Sequence, residues 1–516
     1  MIKIQNTTKT LKNSIISVVG QIFTILLQFI NRRVFIIFLD IEFLGYQTLF
    51  NNVFSLLSVA ELGIGNIIAF HLYKEIVNNN EQEIGKLMYL YKWLYRIVAI
   101  IVLVVGVICN AFLPYFVTDA HVSWSYLRLI YFLQLASVVI GYFLSYRRTI
   151  LIASQQEYRC VQIDLFANIV TQVFQLALLA IFKNYIVYLC LQLSTTIFAN
   201  CLIAIKTNKE YPYLKAKYSI SKEYISSKNM FKDMRDFIVH KLCYAVYGGT
   251  DNIVISAFCG VRNVALYGNY ALVQRGVMQI LFYKLLNPIQ ATLGNIVYSD
   301  RKKEDLWKQF KMLDVFSFFF ATYIGIGFLV FFQPFIEMWM GKEYLLSNSF
   351  VFLFAITIYF SAVFEIVYKY RTVFGDYNQD RNMMILSAIL NLLISILGAK
   401  QFGILGIQFG TLVAFFPIAY GRIRFVVKGY FKESMWKYII KHMLLAVVVM
   451  VEGALCWIIC EKIPVSLLGF LGRGIIWFII PGIINTLLYM KNPSFKLMLK
   501  YFNEILKSIG NKLNIF

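Results

Sequence analysis

Arg32, Arg275 and Lys284 stand inside long apolar stretches of the sequence, where a charged side chain costs about 2.5–3.5 kcal/mol on insertion scales and needs a partner, a water-filled cavity or a route to the interface. A cation held in such a place can bind an anion, and the guanidinium fork fits carboxylate or phosphate better than an ammonium does. Around Arg32 the spacing is informative. Asn13, Ser17, Gln21, Thr24, Gln28 and Arg32 follow one another by three or four residues, which puts them on one face of a helix. Arg33 is rotated by about 100° from that face and reads as a snorkelling residue. Further stripes of the same kind are Gln47, Asn51, Ser58 and Glu61; Asp164, Asn168, Thr171 and Gln175; His240, Tyr244, Tyr247 and Asp251; and Arg275, Gln279, Tyr283 and Asn287. For the amides and hydroxyls, interhelical glue and cavity lining are both open readings. For Arg32 and Arg275 the cavity is the better one, because glue has no need of a permanent cation.

Other chemistry is absent from the pattern. The eight cysteines are scattered, with Cys456 and Cys460 one turn apart, and His71, His121, His240 and His442 do not cluster with them; no metal or other cofactor is expected. No Gly-x-x-x-x-Gly-Lys occurs, so nucleotide hydrolysis is not expected. Glu365 and Lys369 read as a local helix pair, Asp314 as an anion near a helix N-terminus, Arg128 as a headgroup contact and Lys284 as an inward snorkel. Glu452 has no evident partner.

The elements that must position these residues are membrane helices. Of 516 residues, 59% are hydrophobic and 15% charged, with a mean hydropathy of +0.66, against about a quarter charged in soluble domains. About fourteen apolar segments follow one another, from 13–38 and 43–70 to 437–460 and 466–490, each long enough to cross a bilayer. They do not alternate as barrel strands do. The net charge of +22 sits mostly in every second link. The intervening links, around Asp40, Pro114, Lys183, Arg262, Lys342, Lys400 and Glu461, carry one basic residue or none. The positive-inside rule then places both termini in the cytoplasm and makes nucleic acid an unneeded partner. The basic Met1–Lys12 stretch leads into an uncleaved first span.

The chain repeats itself. Arg148-Thr149 precedes Gln156-Glu157 as Arg371-Thr372 precedes Gln379-Asp380, and Asn168 falls on Asn391 at the same offset; Leu189, Gln192 and Thr195 match Leu405, Gln408 and Thr411. The expected organisation is therefore an all-α integral membrane protein with two pseudo-symmetric six-helix bundles, 1–206 and 236–428. They are joined by a cytoplasmic linker, 207–235, and followed by two accessory helices in 429–490. Residues 491–516 form an amphipathic, lysine-bearing tail drawn to anionic lipid. Halves of six spans share one orientation, an arrangement used by transporters that rock around a central site.

Several segments carry a family resemblance: Arg32-Arg33 with Phe43-Leu44-Gly45-Tyr46, then Ala60-Glu61-Leu62-Gly63-Ile64-Gly65, Thr250-Asp251-Asn252-Ile253-Val254-Ile255-Ser256, Leu266-Tyr267-Gly268-Asn269-Tyr270 and Gly403-Ile404-Leu405-Gly406-Ile407. In order and spacing the chain resembles the polysaccharide repeat-unit (Wzx-type) flippases of the multidrug/oligosaccharidyl-lipid/polysaccharide exporter superfamily. The resemblance implies a MATE-like fold in the bacterial cytoplasmic membrane. The implied substrate is an oligosaccharide linked through pyrophosphate to undecaprenol, moved outward by alternating access for capsule, O-antigen or exopolysaccharide synthesis. It also implies membrane lipids, a polysaccharide polymerase and a chain-length regulator as partners, and no enzymatic activity. In that reading Arg32 and Arg275, with Arg33 and Lys284, hold the diphosphate. Gln28, Asn51, Asn168, Gln175, Tyr244, Tyr247 and Gln279 line the cavity, and spans 13 and 14 help to form a groove for the lipid. Membrane potential, or H⁺ or Na⁺ bound at Asp251 or Glu61, with Asp164 behind them, resets the cationic site. The rival readings are a drug/cation antiporter, which should line its cavity with acids, and a membrane-embedded polymerase or glycosyltransferase, which should expose a large outer loop.

Overall fold

The computed structural model describes residues 7–61, 64–154, 156–216, 218–219, 230–279, 293, 303–374 and 378–513. Within these, the side chains of 7–19, 59–60, 66–67, 70, 74, 77, 157, 230–238 and 505–513 lie outside the description, as do Lys284, Tyr283 and Asn287.

Most of the described residues are helical, and none of them forms a strand. A chain this apolar must satisfy its backbone polar groups internally, and the helix is the one open structure that does so. In chain order the helices are α1 (Thr7–Phe38), α2 (Ile41–Leu57), α3 (Ile64–Val77), α4 (Glu81–Ala111), α5 (Leu113–Phe116), α6 (Trp124–Ser145), α7 (Arg148–Ala153), α8 (Glu157–Phe182) and α9 (Tyr185–Glu210). They continue with α10 (Met230–Cys259), α11 (Val261–Val277), α12 (Lys303–Trp339), α13 (Asn348–Val363), α14 (Glu365–Phe374) and α15 (Arg381–Phe402). The last four are α16 (Ile404–Ile423), α17 (Met435–Glu461), α18 (Leu467–Tyr489) and α19 (Pro493–Leu513). Side-chain caps mark the starts: Asn80 accepts from the Glu83 amide at 3.2 Å, and Ser123, Asn184, Ser347, Ser434 and Ser466 cap α6, α9, α13, α17 and α18 likewise.

Ten of these helices are long and apolar enough to cross a membrane, and eleven when α13 and α14, bent by 42°, are taken as one span. They are the expected spans 1, 3–6 and 9–14. Expected span 2 is broken: α2 ends at Leu57, a 3₁₀ turn runs from Ser58 to Glu61, and α3 follows. Spans 7 and 8 correspond to the more polar α10 and α11. The chain is a multi-pass membrane protein.

It divides into two compact units, Met1–Gly268 and Asn269–Phe516. In the first, α1 packs on α8, α4 on α6, α6 and α8 on α9, and α2 on α10. In the second, α12 packs on α13, α13 and α15 on α16, and α17 and α18 on α12. The relations third-to-fourth, fourth-to-sixth and fifth-to-sixth span thus recur at the positions nine, ten, eleven and twelve. The α15–α16 hairpin is the tightest. A Cβ on Gly398 would meet the Gly406 backbone at 2.8 Å, and one on Gly406 would strike the backbone of Gly398. Close approach through small residues is how helices associate where lipid removes any hydrophobic drive between them.

Buried charges fasten the second unit. Asp314 lies three turns into α12, beyond the first turn where the helix dipole acts, so the expected role at a helix N-terminus is corrected. Its carboxylate instead accepts from the Tyr438 hydroxyl (2.6 Å), Lys441 Nζ (2.7 Å) and His442 Nε2 (3.0 Å), clasping α17 to α12. Glu365 and Lys369 form their local pair at 3.3 Å. Arg473, a basic residue within the last span that the sequence reading passed over, is buried and donates to the Ile463 and Pro464 carbonyls at 2.6 and 3.1 Å. Phe495 of α19 stacks on Phe319 at 5.2 Å, which seats the start of the tail helix against α12.

Candidate substrate site

In the first unit Arg32 is half-buried, and its guanidinium donates to the Ala265 carbonyl at 3.0 Å. The guanidinium uses the space beside Gly268: a Cβ there would lie 2.8 Å from Arg32 Nη2, so a larger residue would displace the end of the Arg32 side chain. Thr48 lines the same spot. On the next side, Gln47 donates to Gln192 Oε1 at 3.3 Å and hydrogen-bonds the Tyr188 hydroxyl, which also lies within electrostatic reach of Arg32. Tyr188 packs on Tyr185 (6.0 Å) and edge-on to Phe35 (5.2 Å). Four helices, α1, α2, α9 and α11, therefore bring together one guanidinium, two amides and an aromatic wall. That set can bind an anion through the cation and a polyhydroxylated group through amides and rings.

Of the expected lining, Gln28, Asn51, Asn168 and Tyr244 are exposed and Tyr247 half-buried, all within the first unit. Gln175 is buried and donates to the Tyr188 carbonyl at 3.4 Å, a packing contact behind the aromatic wall. Arg33 is half-buried. Arg275, in the second unit, is exposed with its Nε on its own helix at the Ala271 carbonyl, 3.3 Å away, and Gln279 is exposed near it. The expected position Lys284 lies outside the described residues.

The three carboxylates proposed for an ion differ in their surroundings. Asp251 is buried on α10. Glu61 accepts a hydrogen bond from the Tyr95 hydroxyl, within a cluster that includes Tyr91 and Tyr142. Asp164 is engaged two-pronged by Arg148, at 2.6 and 2.8 Å, while Arg148 Nε donates to Asn200 at 2.9 Å. The duplicated Arg371 also finds an aspartate, but a different one: Asp380, at 2.5 and 3.0 Å, with Arg422 at 3.7 Å behind it. Arg148 and Arg371 were visible as a repeat; their partners were not.

The second unit carries a shallow apolar groove between α12, α13 and α17, lined by Gly325, Leu329, Phe352, Tyr359, Val449 and Gly453 among others. Span 13 contributes to it; no residue of span 14 does.

No family model and no curated protein matches the sequence. Solved structures do. The lipid II flippase MurJ in its inward closed conformation is similar over 92% of this chain and 99% of its own, at 13% identity and a TM-score of 0.69. An inward-facing multidrug resistance MATE transporter of the MOP superfamily is similar over 78% of this chain and 94% of its own, at 13% identity and a TM-score of 0.55. At such identities the likeness is one of fold: the chain has the fold of these membrane transporters.

Proposed function

We propose that this protein flips an oligosaccharide carried on undecaprenyl pyrophosphate from the cytoplasmic to the outer leaflet of the bacterial inner membrane, with both termini cytoplasmic, and that it is a transporter and no enzyme. The observation that carries the reading is the Arg32 cluster. A diphosphate entering a low-dielectric site needs a cation already desolvated and aimed, and Arg32 is held half-buried by the Ala265 carbonyl in the space left by Gly268. The adjoining Gln47, Gln192 and Tyr188 suit a sugar, and the apolar groove of the second unit suits part of a prenyl chain. Arg275 is the proposed second cation. Asp251 and Glu61 remain the proposed sites for H⁺ or Na⁺. Asp164, already engaged by Arg148, is less available.

A drug/cation antiporter is the second reading, favoured by the MATE likeness. That likeness leaves about a fifth of this chain uncovered, and the site proposed here is built around a cation, which repels a cationic drug. The test is complementation of a strain lacking its repeat-unit flippase, scoring surface polysaccharide at matched expression. Arg32→Ala should cut export about tenfold or more and Arg32→Lys should lie between it and wild type. Wild-type export by the Ala variant would remove Arg32 from the mechanism.

A further inference from the structure

The buried face of α17 runs through Tyr438, His442, Leu445, Val449, Glu452, Cys456 and Cys460, a spacing of three and four residues that keeps them in one row. At the end of the row nearer residue 438, Asp314 gathers the polar groups of Tyr438, Lys441 and His442. Glu452 lies ten residues further on, about 15 Å along the helix, and is wholly buried. It makes no ion pair among the described residues. Its one hydrogen bond is to Asn485 of α18, whose Nδ2 donates to Oε2 at 3.1 Å.

Both side chains of that pair keep one buried atom without a partner: Oε1 of Glu452 and Oδ1 of Asn485. Both are oxygens. Two acceptors left over on one hydrogen-bonded acid–amide pair are one donated proton short of being satisfied. A neutral carboxylic acid has an O–H to donate. With it, Oε1 gains a donor while Oε2 keeps the bond from Asn485 Nδ2, and the pair's remaining acceptor is Asn485 Oδ1. An ionised carboxylate in the same place keeps both orphans and an uncompensated charge, each of them costly in a membrane interior.

We propose that Glu452 and Asn485 form a proton-binding site in the second unit, distinct from Asp251, Glu61 and Asp164. The groups that face it leave a proton as the fitting occupant. α12 offers Tyr323, which donates to the Phe478 carbonyl at 3.1 Å and lies within electrostatic reach of Glu452. α13 offers Tyr359, α17 itself Cys456, and α18 Asn485. Arg424 and Lys428 belong to the separate helical segment before α17, and Arg473 of α18, which faces Cys460 further along, gives its guanidinium to the Ile463 and Pro464 carbonyls. None of the facing groups is a cation, and the two free oxygens are too few for a metal ion's shell. Tyr359 also supplies a way in. Its hydroxyl has no hydrogen-bond partner among the described residues, it lines the groove, and it lies within electrostatic reach of both Glu452 and Asp314. Lys441, on the far side of Asp314, is 40% exposed, so the row reaches the surface. Use of this proton to drive transport would rest on the transporter reading; occupancy of the site does not.

The test therefore needs no substrate. The full-length protein in nanodiscs is treated with a hydrophobic carbodiimide, which reacts with protonated carboxyls, across a pH series, and adducts are mapped by mass spectrometry. Asp314 and Asp380, equally buried but ion-paired, are internal controls. The expected result is an adduct on Glu452 at neutral pH that fades as the pH is raised, with none on the two aspartates and none in Glu452→Gln, which keeps an amide pair and the fold. Asn485→Leu, which removes the amide donor to Oε2 and leaves the carboxyl in a more apolar surround, should make the adduct persist to a higher pH than in wild type. Absence of a Glu452 adduct at every pH, or an adduct whose yield ignores pH in wild type and Asn485→Leu alike, overturns the proposal.

Discussion

Replacing Asp380 by Asn removes the one negative charge between two arginines. Its carboxylate accepts from Arg371 at 2.5 and 3.0 Å and stands 3.7 Å from Arg422, and the Arg371 and Asp380 side chains are 3% and 1% exposed. Breaking a buried pair from one side leaves an uncompensated charge and costs about 3–5 kcal/mol. The sequence-related pair Arg148–Asp164 is 25% and 35% exposed, where water relieves the orphaned cation, and Asp164→Asn should cost about 1 kcal/mol. For a unit of this size each kcal/mol moves the midpoint by about 2–4 °C, so Asp380→Asn should unfold about 6–20 °C below wild type and Asp164→Asn within a few degrees of it. The assay is thermal unfolding of the detergent-solubilised chain followed by tryptophan fluorescence. Replacing both partners by apolar residues, Arg371→Met with Asp380→Leu, should recover part of the loss, because Arg371 is then no longer buried without its anion and only Arg422 loses its neighbour. Equal losses for the two Asp→Asn variants, or a double variant no better than the single one, would refute the reasoning from burial.

Two further outcomes follow from packing. Gly406→Val has to push the α15 and α16 backbones apart at Gly398, so the folded fraction on size-exclusion chromatography should fall sharply, whereas Gly248→Ala, with open space at its Cβ, should express as wild type. Asp314→Asn strips the clasp of its charge and leaves Lys441 and His442 without their anion; α17 should then become more accessible, read as faster protease cleavage near residue 435 with little change in the first unit.

Span positions and the charge alternation were legible in the sequence because hydrophobic length and basic links are imposed by the bilayer itself. The duplication was legible too, and the recurring helix neighbours of the two units reflect it. The partner of each charge was not. Arg148 and Arg371 share a motif, yet one reaches sixteen residues on to Asp164 and the other nine to Asp380. Asp314 looked like a helix-end anion because the start of α12, at Lys303, comes earlier than hydropathy suggests. Its partners come from α17, more than 120 residues away, and no local signal announces them. Span 2 read as continuous because the 3₁₀ break at Ser58–Glu61 holds no proline, and its Ser58 and Glu61 read as part of a polar stripe on one helix. At the site, Arg32 was found from its stripe. Ala265, Gly268 and Tyr188 were not, since a backbone carbonyl, a missing Cβ and one tyrosine among 34 carry no spacing of their own.

The most direct test of the central claim is transfer itself. Proteoliposomes containing the purified protein would be loaded with a fluorescent glycan on a polyprenyl pyrophosphate, and its movement between leaflets followed by quenching from outside, with a dicationic drug as the competing cargo. Losing a hydrogen bond to a charged group costs about 1.5–3 kcal/mol, so Arg32→Ala should slow glycan-lipid transfer by about tenfold or more, Arg32→Lys should lie between it and wild type, and the drug should not move. Undiminished transfer by Arg32→Ala, or transport of the drug in place of the glycan lipid, would contradict the account.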